Sequence, residues 1–420
     1  MPYLPFLALK SAWNRRYTLG LILICIALSA ILLLGVQRAR ISARQSFANT
    51  VSQTDLIVGA RTSPIQLLLY SVFHLGEATN NIDWKSVQDF SSHPDVAWVI
   101  PISLGDSHRG FPVLGTTPAY FRFFRYGNKQ ALKFSSGNRF EGLFEAVLGA
   151  KVAGKLHYHI GDRIILSHGD SGLGLTDHAD KPFTVVGILA ETGTPVDRTV
   201  HVSLGAIEAI HLDWQAGAPM PGVSIPAEYV TKFDLTPKTV TAALVGLKSR
   251  IAVFRVQRFI NDYRKEPLLA VLPGVALDQL WSVMSVAEQS LLFTSAAVIA
   301  VSLVGLVAVL LAGLGERRRE LAILRSVGAG PLQIAALVLG ECVLLTLIAC
   351  SLGLIVLDAI SLIAAPWIQS HYGLALSTDF ITADELMLLA SITLAAALAS
   401  MIPAFKAYQQ TLADGLSPRT

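Results

Sequence analysis

Residues Gly315 to Glu341 read GERRRELAILRSVGAGPLQIAALVLGE, a short basic connection between two long apolar runs. Each flanking run is long enough to cross a bilayer, because about 20 apolar residues rising about 1.5 Å each cover the hydrocarbon thickness. The connection is therefore a membrane-surface loop. It carries Arg317, Arg318, Arg319 and Arg325, whereas the next inter-span stretch, Pro366 to Glu385, has no Lys or Arg. Lys/Arg bias in short loops marks the cytoplasmic side. Leu321, Ile323, Leu324 and Val327 form an apolar stripe at roughly helical spacing beneath the charged face, which predicts that the preceding span continues as an amphipathic helix. Gly328, Gly330 and Pro331 break that helix, and Pro331 can open the next one. Two readings follow, an ordinary basic hairpin and a rigid elbow on which a partner protein pushes.

The whole composition agrees with a membrane protein. Of 420 residues 52% are hydrophobic and only 15% charged, with a mean hydropathy of +0.53, too apolar for an ordinary soluble enzyme. A net charge of +3 offers no concentrated basic face for nucleic acid. The three cysteines, Cys25, Cys342 and Cys350, all fall in apolar runs, so the soluble region must fold on its own core without disulfides.

The first apolar run, Tyr17 to Val36, follows Lys10, Arg15 and Arg16. It is longer than the core of a signal peptide, so it reads as a retained span with cytoplasmic flanking charge. Arg38, Arg40 and Arg44 just beyond it oppose that orientation, although a long translocated domain crosses largely regardless of charge. From Gln37 to Ser285 the chain is a soluble α+β region. VAWVIPISL, FPVLGTT, DRIILSHG, FTVVGILA, TAALVGL and LLAVLPG read as strands, and SRIAVFRVQRFINDYRK as an amphipathic helix. PIQLLLYSVFHLG is too short to span and reads as a buried or membrane-leaning helix. A helix from near Leu277 through the second span towards Leu324 would be about 70 Å long. The fold class is thus a membrane protein of four transmembrane α-helices with a large α+β extracytoplasmic domain inserted between the first and second spans. Its segments are a cytoplasmic start with the first span (1–36), the inserted domain (37–285) and the second span (286–314). A connecting loop (315–333), the third span (334–365), a short outer loop (366–385), the fourth span (386–402) and a cytoplasmic tail (403–420) complete it.

Candidate chemistry is sparse. GAKVAGKL (Gly149 to Leu156) spells G-x-x-x-x-G-K, but Leu156 stands where a phosphate loop needs Ser or Thr, and the residues beyond head towards a strand. ATP-driven action therefore requires a separate subunit. No nucleophile signature such as G-x-S-x-G occurs. His157, His159, His168 and His178 crowd one region with several aspartates, and His157 and His159 would share a strand face as zinc or copper ligands; solvated hairpin residues are the competing reading. Glu341 is an acid within a span, a functional suspect by default, read here as a structural or coupling hydrogen bond in preference to a proton relay. Ser302, Gly305, Gly313, Gly340 and Gly353 would allow close helix packing.

RRRELAILRSVGAGPLQIAALVLGE resembles the corresponding loop of the MacB/FtsX/LolC (type VII) family of ABC transporter permeases. LGAKVAGKLHYHIGDRIIL and KPFTVVGIL are similar to segments of the family's periplasmic domain, and DLIVGARTSP to a segment of its lipoprotein-exporter-like members. The resemblance implies an inner-membrane, non-catalytic subunit that binds no cofactor itself, with ATP and Mg²⁺ handled by a cytoplasmic ABC ATPase. It implies coupling through Arg317, Arg318, Arg319, Glu320, Leu324, Arg325, Gly328, Pro331 and Leu332. It implies a homodimer or paired permease in contact with lipid, with a periplasmic adaptor or substrate protein as a further partner. The expected function is mechanotransmission for export or extraction of a lipoprotein, lipid, peptide or hydrophobic compound. Alternatives are an FtsX-like regulator of a periplasmic enzyme, a kinase-linked sensor, and a metal-handling membrane protein.

Overall fold

The computed structural model describes residues 16–50, 52–169, 177–215, 218–220, 225–372 and 381–409. The helices used below are, in chain order, α1 (Arg16–Thr50), α2 (Pro64–Phe73), α3 (Ala150–Leu156), α4 (Leu204–Ile210), α5 (Val253–Asn261), α6 (Pro273–Glu316), α7 (Arg318–Ser326), α8 (Pro331–Tyr372) and α9 (Ala383–Gln409). The strands are β1 (Leu56–Ala60), β2 (Val96–Ile102), β3 (Asp106–His108), β4 (Phe111–Thr116), β5 (Phe134–Gly137), β6 (Glu145–Leu148), β7 (Arg163–Ile164), β8 (Ser167–His168), β9 (Phe183–Leu189), β10 (Val200–Ser203), β11 (Ala242–Leu247) and β12 (Leu268–Val271). Contacts divide the chain into a helical unit, which includes residues 285–366, and an inserted unit centred on Ser42–Met284.

The inserted unit is α+β with two main sheets. The first has the order β12-β1-β11-β2, antiparallel throughout. Every residue of β1 is buried, and alternation along the strand sends Ile57 to one core and Leu56 and Val58 to the other. The second core also takes Val256 and Ile260 from α5. α2 joins the first, burying Leu67, Leu68, Tyr70 and Phe73, so PIQLLLYSVF is a core helix of this unit. The second sheet runs β7-β9-β6-β10-β4-β3-β8, with β5 paired to β9. It is mixed, with β6 parallel to β9 and β4 parallel to β10. DRIILSHG forms two short strands here, not one: β7 pairs with β9 and β8 with β3. Residues 165–166 lie between them.

Four helices among the described residues are long and apolar enough to cross a membrane, Arg16–Thr50, Pro273–Gly315, Pro331–Ala365 and Ala383–Gln409. They exceed their apolar runs because flanking polar turns continue the helical hydrogen bonding. In the helical unit, Ile22, Ile26 and Ala27 of α1 pack with Leu306 and Leu310 of α6, Cys342 and Ala349 of α8, and Ala396 of α9. Small residues set the close approaches. Ser29 Oγ lies 2.8 Å from Ser302 Oγ, and a Cβ on Gly353 would sit 2.8 Å from the Ala27 carbonyl oxygen. Gly305 and Gly340, by contrast, would meet no described atom within 4 Å.

Candidate functional site

The connection after the second span is built from two helix ends. α6 stops at Glu316, and Arg317 leaves helical geometry at φ −87°, ψ 6° before α7 begins. The second-span helix therefore ends ahead of Leu324, and the amphipathic helix is a separate element. Arg317 is almost wholly buried; its Nη1 donates to Glu341 Oε2 at 2.7 Å, and its Nε to Glu320 Oε2 at 3.3 Å. An arginine held in this way fixes the α6–α7 break against α8.

α7 ends in a Schellman motif. Gly328 adopts φ +97°, its N–H donates to the Arg325 carbonyl at 3.0 Å, and the Ala329 N–H to the Leu324 carbonyl at 2.9 Å. Pro331 then occupies the first position of α8, where its missing N–H costs nothing. Gln333 Oε1 accepts from the Gly330 N–H at 3.0 Å, one half of a capping box.

One side of α7 is fastened to the bundle. Leu321 is buried with Leu314, Ile334, Val338, Ala404 and Ala407, and Leu324 packs on the same cluster. Arg325 Nη2 donates to the Tyr408 carbonyl at 3.0 Å. The other side is apolar and exposed, with Ile323 at 62%, Val327 at 72% and Leu332 of α8 at 75% exposure. The stripe read from the sequence therefore splits: Leu321 and Leu324 face the bundle, while Ile323 and Val327, four residues apart, make an outward pair. Glu320 is also exposed. The side chains of Arg318 and Arg319 lie outside what is described. Arg317 is turned inward, as a brace and not a contact offered to a partner, because burial demands the carboxylate at Glu341.

Arg38 and Arg40, whose position conflicted with the orientation of the first span, find acidic partners. Arg38 pairs with both Asp358 and Glu385, and Arg40 Nε lies 3.0 Å from Glu288 Oε2. Their charge is neutralised within the helical unit.

The histidines separate into two groups. His157 is the left-handed cap of α3 at φ 56°, and His159 stands on an exposed loop with 85% side-chain exposure. They share no strand, because α3 occupies Ala150–Leu156 and ends at His157. The same helix disposes of the phosphate-loop motif, since it ends where a phosphate-binding helix would have to start. A Cβ at Gly149 would lie 2.3–2.4 Å from the Val196 and Asp197 carbonyl oxygens, a surrounding hostile to phosphate.

His168 and His178 come together instead with Asp106 and His211. β8 pairs His168 directly opposite Asp106 on β3, and His211 caps the end of α4. His168 Nδ1 is 3.0 Å from Asp106 Oδ1, His211 Nε2 is 3.2 Å from His168 Nδ1 and 3.5 Å from Asp106 Oδ1. The His178 ring centroid lies 4.3 Å from that of Trp214, the rings tilted by 42°. Burial drives the Asp106 carboxyl up, but hydrogen bonds and charge from His168 and His211 outweigh it and bring it to about 2. Burial pulls His178 down to about 4. Asp106 and His211 carry no local sequence signal: they stand 62 and 43 residues from His168 along the chain.

A family profile described as MacB-like periplasmic core domain matches residues 17–243, more than half of the chain, and one described as FtsX-like permease C-terminal matches residues 292–412. Among solved structures, the periplasmic region of MacB from Actinobacillus actinomycetemcomitans is similar at 9% identity over 55% of this chain and 94% of that one, with a TM-score of 0.34. The extracellular domain of the noncanonic ABC-type transporter YknZ from Gram-positive bacteria is similar at 14% identity over 52% and 99%, with a TM-score of 0.30. No curated protein matches. With both the inserted domain and the three later spans accounted for, the chain belongs to the MacB/FtsX family of ABC transporter permeases.

Proposed function

We propose that this permease transmits the motion of a cytoplasmic ABC ATPase through α7 and the long α6 to its extracytoplasmic domain, without substrate passing between the spans. The observation that supports this is the two-sided character of α7, fastened to the bundle by Leu321, Leu324 and Arg325 while Ile323, Val327 and Leu332 stand exposed. A partner that covers those three side chains acts on an element that cannot slide independently of the helices. Such a push has an effect only where the ATPase contacts the elbow differently in its two nucleotide states.

On this reading the loop is cytoplasmic, the membrane is a bacterial inner membrane, and the inserted domain faces the periplasm. The subunit pairs with a second permease, its own copy or a relative, and ATP and Mg²⁺ stay on the ATPase. The cargo belongs to the hydrophobic classes: lipoprotein, lipid, peptide or small apolar compound.

The test uses the full chain in lipid nanodiscs with its ATPase. Exposed substitutions rarely alter stability by more than about 0.5 kcal/mol, whereas central apolar anchors of an interface commonly carry about 2 kcal/mol or more. Ile323→Asp and Val327→Asp should therefore leave insertion intact, weaken ATPase co-purification at least about tenfold and abolish stimulated hydrolysis. Unchanged stimulation in the double variant would overturn the elbow as the transmitting contact.

A further inference from the structure

We propose that Asp106, His168, His178 and His211 form a binding site for a divalent transition metal, with Zn²⁺ the best match. Each residue offers one ligand atom, and these atoms all lie within 4.8 Å of one another. Three of the separations are 3.0, 3.2 and 3.5 Å. With zinc–ligand bonds of about 2.0–2.2 Å, the edge of a coordination tetrahedron is about 3.3–3.6 Å. Asp106, His168 and His211 therefore lie within a few tenths of an ångström of one face of such a tetrahedron. His178 supplies the fourth corner by moving inward.

His178 is the independent sign that a ligand is missing from the protein's own hydrogen bonding. It has no exposed surface, yet among the described residues neither Nδ1 nor Nε2 has a hydrogen-bond partner. Buried polar atoms are rarely left so, and its ring lies 5.0 Å from that of His211. His211 is prepared for the role from behind. Its Nδ1–H donates to the Ile207 carbonyl at 2.8 Å, which leaves the Nε2 lone pair directed towards Asp106 and His168. Metal-bound histidines are usually held by such a bond through the other ring nitrogen.

A hydrogen-bond network alone accounts for the cluster less well. It leaves His178 unsatisfied and sets the His211 Nε2 lone pair 3.5 Å from a carboxylate oxygen of Asp106. A cation satisfies all four groups together. Three imidazoles and a carboxylate, with no thiolate or thioether, suit Zn²⁺ over Cu⁺. The bound ion would tie β3, β8, the segment at His178 and the end of α4 into one corner of the inserted unit.

The experiment uses the full chain, purified without a histidine tag, stripped with a chelator and titrated with Co²⁺ as a spectroscopic probe. The expected result is one Co²⁺ per chain with the visible absorption of a tetrahedral site, displaced by Zn²⁺. His178→Ala and His211→Ala should each weaken binding at least about tenfold, while His157→Ala with His159→Ala should not change it. Failure of the untouched chain to take up Co²⁺, or uptake equal in all variants, would overturn the site. Should either alanine variant misfold, X-ray absorption of the zinc-loaded native chain decides: nitrogen and oxygen neighbours at about 2.0–2.2 Å with imidazole scattering support the assignment, and all-oxygen or sulfur coordination refutes it.

Discussion

Lys181 is an ammonium with no exposed surface, and it is held by carboxylates on two sides. Its Nζ lies 2.8 Å from Asp180 Oδ2 and 2.9 and 3.0 Å from the oxygens of buried Asp213. The Ile225 N–H donates to Asp213 Oδ2 at 3.1 Å. The pair joins the segment carrying His178 to the segment carrying His211 and Trp214, so it holds two walls of the histidine cluster. Desolvating both charges makes the net contribution of such a pair small, but removing one partner strands the other. Lys181→Met should destabilise the inserted unit by about 3–5 kcal/mol, and adding Asp213→Asn should recover most of that loss. Urea unfolding followed by tryptophan fluorescence checks this. A single variant as stable as the native chain would mean that Asp213 reaches water.

The elbow shows how far local sequence reaches. Its punctuation is fully local: Gly328 is needed for a left-handed cap and Pro331 fits a first helical turn, so the break and restart of the helix are legible from GAGP alone. The burial pattern of α7 is not, because Leu321 and Ile323 are equally apolar and only the positions of α8 and α9 decide which is covered. Arg317 reads as one more surface charge until Glu341, 24 residues on, is brought to it. The histidines show the same limit, since of the four clustered in sequence only His168 and His178 meet in space, joined there by His211 and Asp106. A prediction follows from the cap. A Cβ at Gly328 meets no described atom within 4 Å, so substitutions there act through the backbone. Residues that tolerate positive φ should be accepted best. Stimulated ATPase activity should fall in the order Gly328, then Asn, Ala and Val, with Val costing about 1–3 kcal/mol in strain at the cap. Equal activity of the Asn and Val variants would show that the left-handed cap is irrelevant to coupling.

At the scale of the whole molecule, the four long apolar helices follow from length and hydropathy, while orientation rests on which charges remain available to act as signals. Counting alone, Arg38, Arg40 and Arg44 beyond the first span argue against Arg317, Arg318, Arg319 and Arg325 beyond the second. The ion pairs ease that conflict for two of the three: Arg38 lies against Asp358 and Glu385, and Arg40 against Glu288, while Arg44 lies over the Trp281 ring. The arginine-rich connection then dominates the Lys/Arg bias. Membrane-impermeant maleimide gives a direct reading in intact spheroplasts. Arg264→Cys, on an exposed position of the inserted unit, should label at once, and Ile323→Cys only after the membrane is opened. Background should be low, because Cys342 and Cys350 are buried and Cys25 sits within the apolar run of α1, out of reach of a reagent that does not enter the bilayer. Labelling of Ile323→Cys from outside, with Arg264→Cys protected, would invert the topology and remove the elbow from reach of any ATP-driven partner.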